Sequence, residues 1–322
     1  MTTRSSPSSG TVVFAGLTTV VVVSIIAFMY VMLAEDEPAV TQVTSPKVLL
    51  IGLDGVRVDR LMAVNTPSID ALAANGTFST VAQTRMPTVS GPGWSSMVTG
   101  VWSDKHGVLG NNFSANDYAR YPDFLARLEM HDPSRETIAF LDWPPLGTAA
   151  EGGPMISDLV DVKLNVNGDS LGYALGDAQV CELSESFLRD SSVDAAFVYL
   201  GNIDVAGHDT GSFSPEYTRA IEWADACVGR LVAALEARAE AHLEDWLILM
   251  STDHGRTPEG GHGGDSPEEL SIFYLASGAS ASKGTPGEPP AIVDIAVTAL
   301  THLGVPVQAG WGLDGRVVGL DR

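Results

Sequence analysis

Three apolar runs constrain this chain more than any other feature of its sequence. KVLLIGL (47–53), DAAFVYL (194–200) and WLILMS (246–251) are too short for ordinary buried helices and show little polar alternation. Such runs suit strands covered on both faces, as in parallel sheets flanked by helices. Residues 137–141 and 271–276 predict further strands. Helical patterns lie between them: 67–75, closed by Gly76; 91–100; 214–243, with Ser214 as cap and Pro215 in the first turn; and 290–303, ended by Gly304. The expected fold is α/β, a mostly parallel central sheet with helices on both faces, forming one large domain over 46–322.

In such sheets ligands collect beyond the carboxyl ends of the strands. Metal-ligating residue types stand there. Asp54 follows the first run, Asp204 and His208 follow the second, and Asp253 and His254 follow the third. His262 lies eight residues later in the glycine-rich GGHGG (260–264). Singly these are ordinary: Asp-Gly makes turns, Asp253-His254 can cap a helix, and GGHGG can be a loop. Together they form a mixed set of three carboxylates and three imidazoles, suited to zinc, manganese or another transition metal. Six ligands exceed the need of one zinc and fit two divalent ions about 3.5–4 Å apart. Of the seven histidines, His106, His131, His242 and His302 lack this strand-end context and are assigned structural or surface roles.

The nucleophile candidate is Ser90, in PTVSGPGWSSMVTG (87–100). Pro92 fits a first helical turn, so Ser90 is expected just before the helix, where free backbone N–H groups would hold a phosphate oxygen. A neighbouring metal would contact the Ser90 oxygen and lower its pKa. Without the metal set a helix cap is the simpler role, and Thr88 is the competing nucleophile. Asn111 is a candidate donor to a phosphate oxygen.

From 11 to 34 no residue is charged, a run of about 24 residues against the about 20 that a helix needs to cross a bilayer. Arg4 precedes it and Glu35, Asp36 and Glu37 follow, so the positive-inside rule leaves 1–10 in the cytoplasm, 11–34 as a transmembrane signal-anchor, and the rest outside after a linker at 35–45. A cleaved signal peptide, giving a secreted protein, is the alternative. The net charge is −22, from 18 Lys and Arg against 40 Asp and Glu, which excludes a general reader of nucleic-acid polymers. Cys181 and Cys227 are expected as two separate buried thiols, with extracellular pairing as the alternative.

At these residues the chain resembles the alkaline phosphatase superfamily, in particular its type I phosphodiesterase/nucleotide pyrophosphatase branch. The matching pieces are LLIGLDGVR (49–57), TPSIDALAANG (66–76), the stretch from Ser90 to SMVTGVWSDKHG (96–107), IDVAGH (203–208) and STDHG (251–255). The resemblance implies that Asp204, His208 and His262 hold one metal and Asp54, Asp253 and His254 the other. It places Ser90 at the nucleophile position and Asn111 at the phosphate-contacting one, and implies in-line attack through a covalent phosphoserine. Three features depart from the branch: Ser where Thr is usual, Gly93 where Asn is common, and no long insertion before His262. The last leaves little to select a nucleoside. A sulfatase is disfavoured, because no Cys-x-Pro-x-Arg stands at the nucleophile position. The expected function is an extracytoplasmic, metal-dependent phosphohydrolase acting on a small phosphate ester. A phosphomonoesterase or phosphonate hydrolase on the same site, and a non-catalytic tethered binding protein with the same fold, are the alternatives.

Overall fold

The structure, a computed structural model, describes residues 1–3 and 44–321. Among them seven strands form one sheet: β1 (Ser45–Leu53), β2 (Thr77–Gln83), β3 (Thr137–Leu141), β4 (Val162–Asn165), β5 (Ala195–Leu200), β6 (Glu244–Ser251) and β7 (Ser271–Ser277), in the order β2-β7-β6-β1-β5-β3-β4. From β6 to β4 every pairing is parallel. β7 runs antiparallel to β6, and β2 antiparallel to β7, so the sheet is mixed at one end. The longer helices are α1 (Pro67–Asn75), α2 (Ser90–Thr99), α3 (Phe124–His131), α4 (Tyr173–Asp190), α5 (Asn202–Thr210), α6 (Pro215–Glu236) and α7 (Asp294–His302).

The continuous apolar runs have a direct cause in this architecture. Alternate residues of β1 enter opposite cores. Val48 and Leu50 pack with Trp94, Met97, Phe124 and Leu300 from α2, α3 and α7. Leu49, Ile51 and Leu53 pack with Val180, Ile221 and Leu231 from α4 and α6. Burying each such side chain stabilises the fold by roughly 1.5–3 kcal/mol, and with helices on both faces the strand has no polar side to keep.

Two helices are shorter than the sequence pattern implies. The helix expected over 214–243 ends at Glu236, and residues Ala241–Leu243 form a separate 3-10 turn. Arg238 stops it: its guanidinium donates to Ser191 O (2.9 Å) beyond the end of α4 and to Glu244 Oε2 (2.6 Å) at the start of β6, which turns the chain back. The closing helix begins at Asp294, not at 290, because residues 290–292 pair beside β2. Gln83 N donates to Pro290 O and Ile292 N donates to Gln83 O.

The expectation of separate thiols is corrected. Cys181 of α4 and Cys227 of α6 are bonded, with a Cα–Cα distance of 5.9 Å. α4 and α6 pack side by side against the same sheet face, which brings two buried positions 46 residues apart into reach, a proximity that spacing cannot show. Replacing both cysteines by serine is expected to destabilise the oxidised protein by about 3 kcal/mol, read as a lower midpoint in urea unfolding, with no further loss on adding reductant.

Among the described residues no helix is long and apolar enough to cross a membrane. The run 11–34 expected to do so, with residues 4–10 and 35–43, lies outside the described residues.

Candidate active site

Strand register assembles the site. Leu53 of β1 lies beside Leu200 of β5, and Gly52 beside Ser251 of β6. The three strands therefore end level at one edge. Asp54 and Asp253 leave the sheet there, while Asp204 and His208 sit one turn apart on α5, which begins two residues after β5.

Asp54 and Asp253 are fully buried and arranged alike. Asp54 Oδ2 accepts from Trp94 Nε1 (3.0 Å) and Tyr199 Oη (2.6 Å). Asp253 Oδ1 accepts from the backbone N–H of Gly55 (3.2 Å). The other oxygens, Asp54 Oδ1 and Asp253 Oδ2, have no hydrogen-bond partner. They lie 3.7 Å and 3.3 Å from His254 Nε2. His254 Nδ1 donates to Gly255 O (2.9 Å), which leaves Nε2 as an acceptor. Two orphaned carboxylate oxygens and an imidazole lone pair converging in a dry site fit a divalent cation.

The expected second set, Asp204, His208 and His262, is drawn together only in part: the ligand atoms that cluster are those of Asp204, His254 and His262, with the half-exposed His208 beside them. His208 Nε2 lies 3.3 Å from Asp204 Oδ2 and 2.9 Å from His262 Nε2, and His262 Nε2 lies 3.7 Å from Asp204 Oδ1. His262 Nδ1 donates to Thr88 O (2.8 Å), so its Nε2 also faces inward as an acceptor. Facing imidazole nitrogens need a shared proton or a cation, and a metal suits the donor set. His254 stacks on His262 with ring centroids 3.8 Å apart and adjoins both groups, so the two positions share a wall.

Ser90 Oγ lies 3.3 Å from His254 Nε2. Ser90 is the first residue of α2, with Val89 at the cap position, rather than the residue before the helix. The expected free N–H groups are largely committed: Gly91 N donates to Asn111 Oδ1 (2.9 Å), Gly93 N donates to Val89 O (3.0 Å), and Pro92 has none. Because Asn111 accepts through Oδ1, its amide nitrogen is left to donate toward a ligand. Thr88 is occupied elsewhere. Its hydroxyl donates to Gly264 O (2.8 Å) and accepts from Gly263 N (2.9 Å), clamping the loop that carries His262. Gly93 lies against Asp253, where a Cβ would stand 2.8 Å from Asp253 Cβ. The larger residue common in the branch has no room in this packing.

Burial, then the charge of Asp204, pushes the Asp54 carboxyl up to about 7. Burial and the charges of Asp54 and Asp204 push Asp253 well up. For Asp204, burial alone would raise the carboxyl, but the His208 hydrogen bond and the charges of Arg256 and His254 outweigh it and hold it low. Burial lowers His254 and His262, and the Asp204 hydrogen bond raises His208. Without a cation, crowding of carboxylates in a dry pocket makes ionisation of Asp54 and Asp253 unfavourable. Sequence reasoning did not find Tyr199, Trp94 or Arg256. Arg256 directly follows the Asp253-His254-Gly255 motif, which was the one available signal. His106 is buried and neutral, pushed down to about 4 by burial, with Nε2 3.0 Å from Ser96 Oγ.

The sheet order and helix layers are those of an alkaline phosphatase-like fold. The sequence pattern of the type I phosphodiesterase / nucleotide pyrophosphatase family matches residues 48–134 and 161–269, and the chain belongs to that family. It is 25% identical over 252 residues to human ectonucleotide pyrophosphatase/phosphodiesterase family member 7, covering 72% of this chain and 52% of that protein. An uncharacterized pyrophosphatase/phosphodiesterase of Schizosaccharomyces pombe is 25% identical over 231 residues, 68% of this chain and 46% of that one. The chain thus spans about half the length of these curated relatives. Inactive murine ectonucleotide pyrophosphatase/phosphodiesterase 5 in complex with AMP has the same fold, with a TM-score of 0.61 and 16% identity over 82% of this chain and 96% of that one. A putative sulfatase from Bacteroides thetaiotaomicron is similar in fold at a TM-score of 0.66 and 13% identity, covering 85% and 74%.

Proposed function

We propose that the protein is a phosphoester hydrolase, a phosphodiesterase of nucleotide pyrophosphatase type, that works through a covalent phosphoserine on Ser90. The observation that carries this reading is the convergence of the Ser90 hydroxyl, His254 Nε2 and two partnerless carboxylate oxygens at one buried point. Asp54, Asp253 and His254 would hold one divalent ion, and Asp204 and His262, with His208 at hydrogen-bond distance from His262, the other, with zinc or manganese suited to the N/O donors. When bound, such ions supply Lewis acidity that makes the serine hydroxyl a better nucleophile and offsets charge on the leaving oxygen.

The chain's own residues do the positioning. α2 holds Ser90 Oγ fixed at the sheet edge. Asn111, itself anchored on Gly91 N, donates to a non-bridging phosphate oxygen as charge grows there. Ser90 Oγ bonds to phosphorus while the ester P–O bond opposite it breaks and the alcohol leaves. Water then cleaves the phosphoserine and restores the hydroxyl. The short Gly-rich connection from His254 to His262 carries no insertion to enclose a nucleoside, so a small diester is the favoured substrate class and a monoester the second.

We also propose that the catalytic domain lies outside the cytoplasm, anchored by 11–34. The uncharged run supports this, and so does the Cys181–Cys227 disulfide, a bond that persists in oxidising compartments. The full chain, purified in detergent, is expected to hydrolyse bis-p-nitrophenyl phosphate faster than p-nitrophenyl phosphate. Chelator should abolish both activities and added Zn²⁺ restore them. Undiminished turnover after complete metal removal would refute the reading.

A further inference from the structure

One buried cation at this site belongs to neither ligand group. The Arg256 guanidinium has no solvent exposure. Nη1 donates to the Asp204 carbonyl (3.1 Å), and Nη2 donates to Asp204 Oδ1. The head group faces the Tyr217 ring at 5.8 Å, while Tyr217 Oη donates to Gly55 O (2.8 Å) and accepts from Arg57 N (2.8 Å). Arg57 Nη1 donates to the Arg256 carbonyl (2.9 Å). Two glycines make the seat. A Cβ on Gly207 would stand 1.6 Å from Arg256 Nη1, and one on Gly55, at φ +65°, would stand 2.8 Å from Nη2. No larger residue at either position leaves the guanidinium where it is.

We infer that Arg256 is a fixed internal cation that makes the two metal positions unequal, fixing Asp204 by one oxygen and weakening ion binding at Asp204–His208–His262 relative to Asp54–Asp253–His254. This rests on the two-ion reading above. The charges decide the order. Arginine stays protonated in proteins, so the single carboxylate of the His-rich group is cancelled by its own partner. The other group brings two carboxylates, neither of them hydrogen-bonded to a cationic side chain. A dication entering the first position meets a positive neighbour in a poorly screened environment, and one entering the second displaces the protons of two carboxyls and gains both charges, with no cationic side chain bonded to either. Arg256 acts through Asp204 and touches no substrate, so it is a positioning residue.

The test is calorimetric titration of the metal-stripped full chain in detergent with Zn²⁺. Two steps are expected, with dissociation constants separated by roughly tenfold or more. Asp253→Asn should remove the tight step and His262→Ala the weak one. Arg256→Met should tighten the weak step by roughly tenfold, whereas Arg256→Lys, which keeps the charge, should preserve the gap. Equal steps in the native chain overturn the inference. So does an unchanged or weaker second step in Arg256→Met, or loss of the tight step in His262→Ala. Should Arg256→Met fail to fold, the native isotherm and the two ligand variants decide alone. A chain that takes up no Zn²⁺ overturns the phosphohydrolase reading itself, an outcome distinct from two ions bound equally.

Discussion

Ser90→Ala is expected to lower kcat on a p-nitrophenyl phosphodiester by about a thousandfold or more, while leaving the fold nearly unchanged. The two effects separate for a structural reason. The Ser90 hydroxyl contacts His254 Nε2 at 3.3 Å and holds no part of the backbone, so its loss costs about 1 kcal/mol or less of stability. Catalytically it is the atom that bonds to phosphorus, and alanine offers no substitute. Thr88, two residues away, cannot take over without releasing Gly263 and Gly264, which its hydroxyl holds in place. Turnover by native and variant chains, with circular dichroism as the folding control, checks the rate. Intact-mass analysis of acid-quenched native protein checks the phosphate adduct, and peptide mapping places it. An adduct on Thr88, or a Ser90→Ala chain that keeps native kcat, sinks the assignment.

The parts of this protein that were legible in its sequence are those where one physical cause dominates. Residues 47–53 read as a strand because both faces of β1 are buried, and the level ends of β1, β5 and β6 follow from parallel register. Asp54, Asp204 and Asp253 therefore fall at one edge on strand pattern alone. β2 was not visible. Its sequence TFSTVAQ lies at the sheet's edge with mixed burial and a register shift between Ser79 and Ala82, so neither alternation nor a continuous apolar run marks it. The ends of α6 and α7 were misplaced because each is set by a contact distant in sequence, Arg238 with Ser191 and residues 290–292 with Gln83. The Cys181–Cys227 bond depends on which helices share a face. Arg256, a lone arginine after a motif, reads as a surface charge, and only the third dimension shows it sealed against Asp204 between Gly55 and Gly207.

Ionisation of Asp54 is expected to cost the metal-free protein stability as pH rises from about 4 to about 7, and Asp54→Asn is expected to remove that cost. Asp54 titrates near 3.8 in the unfolded chain and is pushed up to about 7 when folded, by burial and then by Asp204. Between those values the folded state binds a proton that the unfolded state has released, so unfolding is favoured as pH increases. The stabilisation is fully present below the unfolded value and gone above the folded one, a loss of roughly 4 kcal/mol, or roughly 10 °C in Tm for a domain of this size. Asp253 is raised by the same causes and adds in the same direction. Carboxylates held low, Asp204 among them, slope the opposite way, so the readout is the difference in Tm between the native and Asp54→Asn chains, both stripped of metal, from pH 4 to pH 8. A difference that stays constant or grows in favour of the native chain would show that Asp54 is not proton-bound in the folded state. Adding Zn²⁺ should flatten the native profile, because the cation replaces the proton as the partner of the same two orphaned oxygens. A fold that buries three carboxylates within reach of one another is poorly stabilised on its own at neutral pH. The unfavourable charge that destabilises the empty site is also what would draw a divalent ion into it, so the energy lost from the metal-free fold reappears as metal affinity.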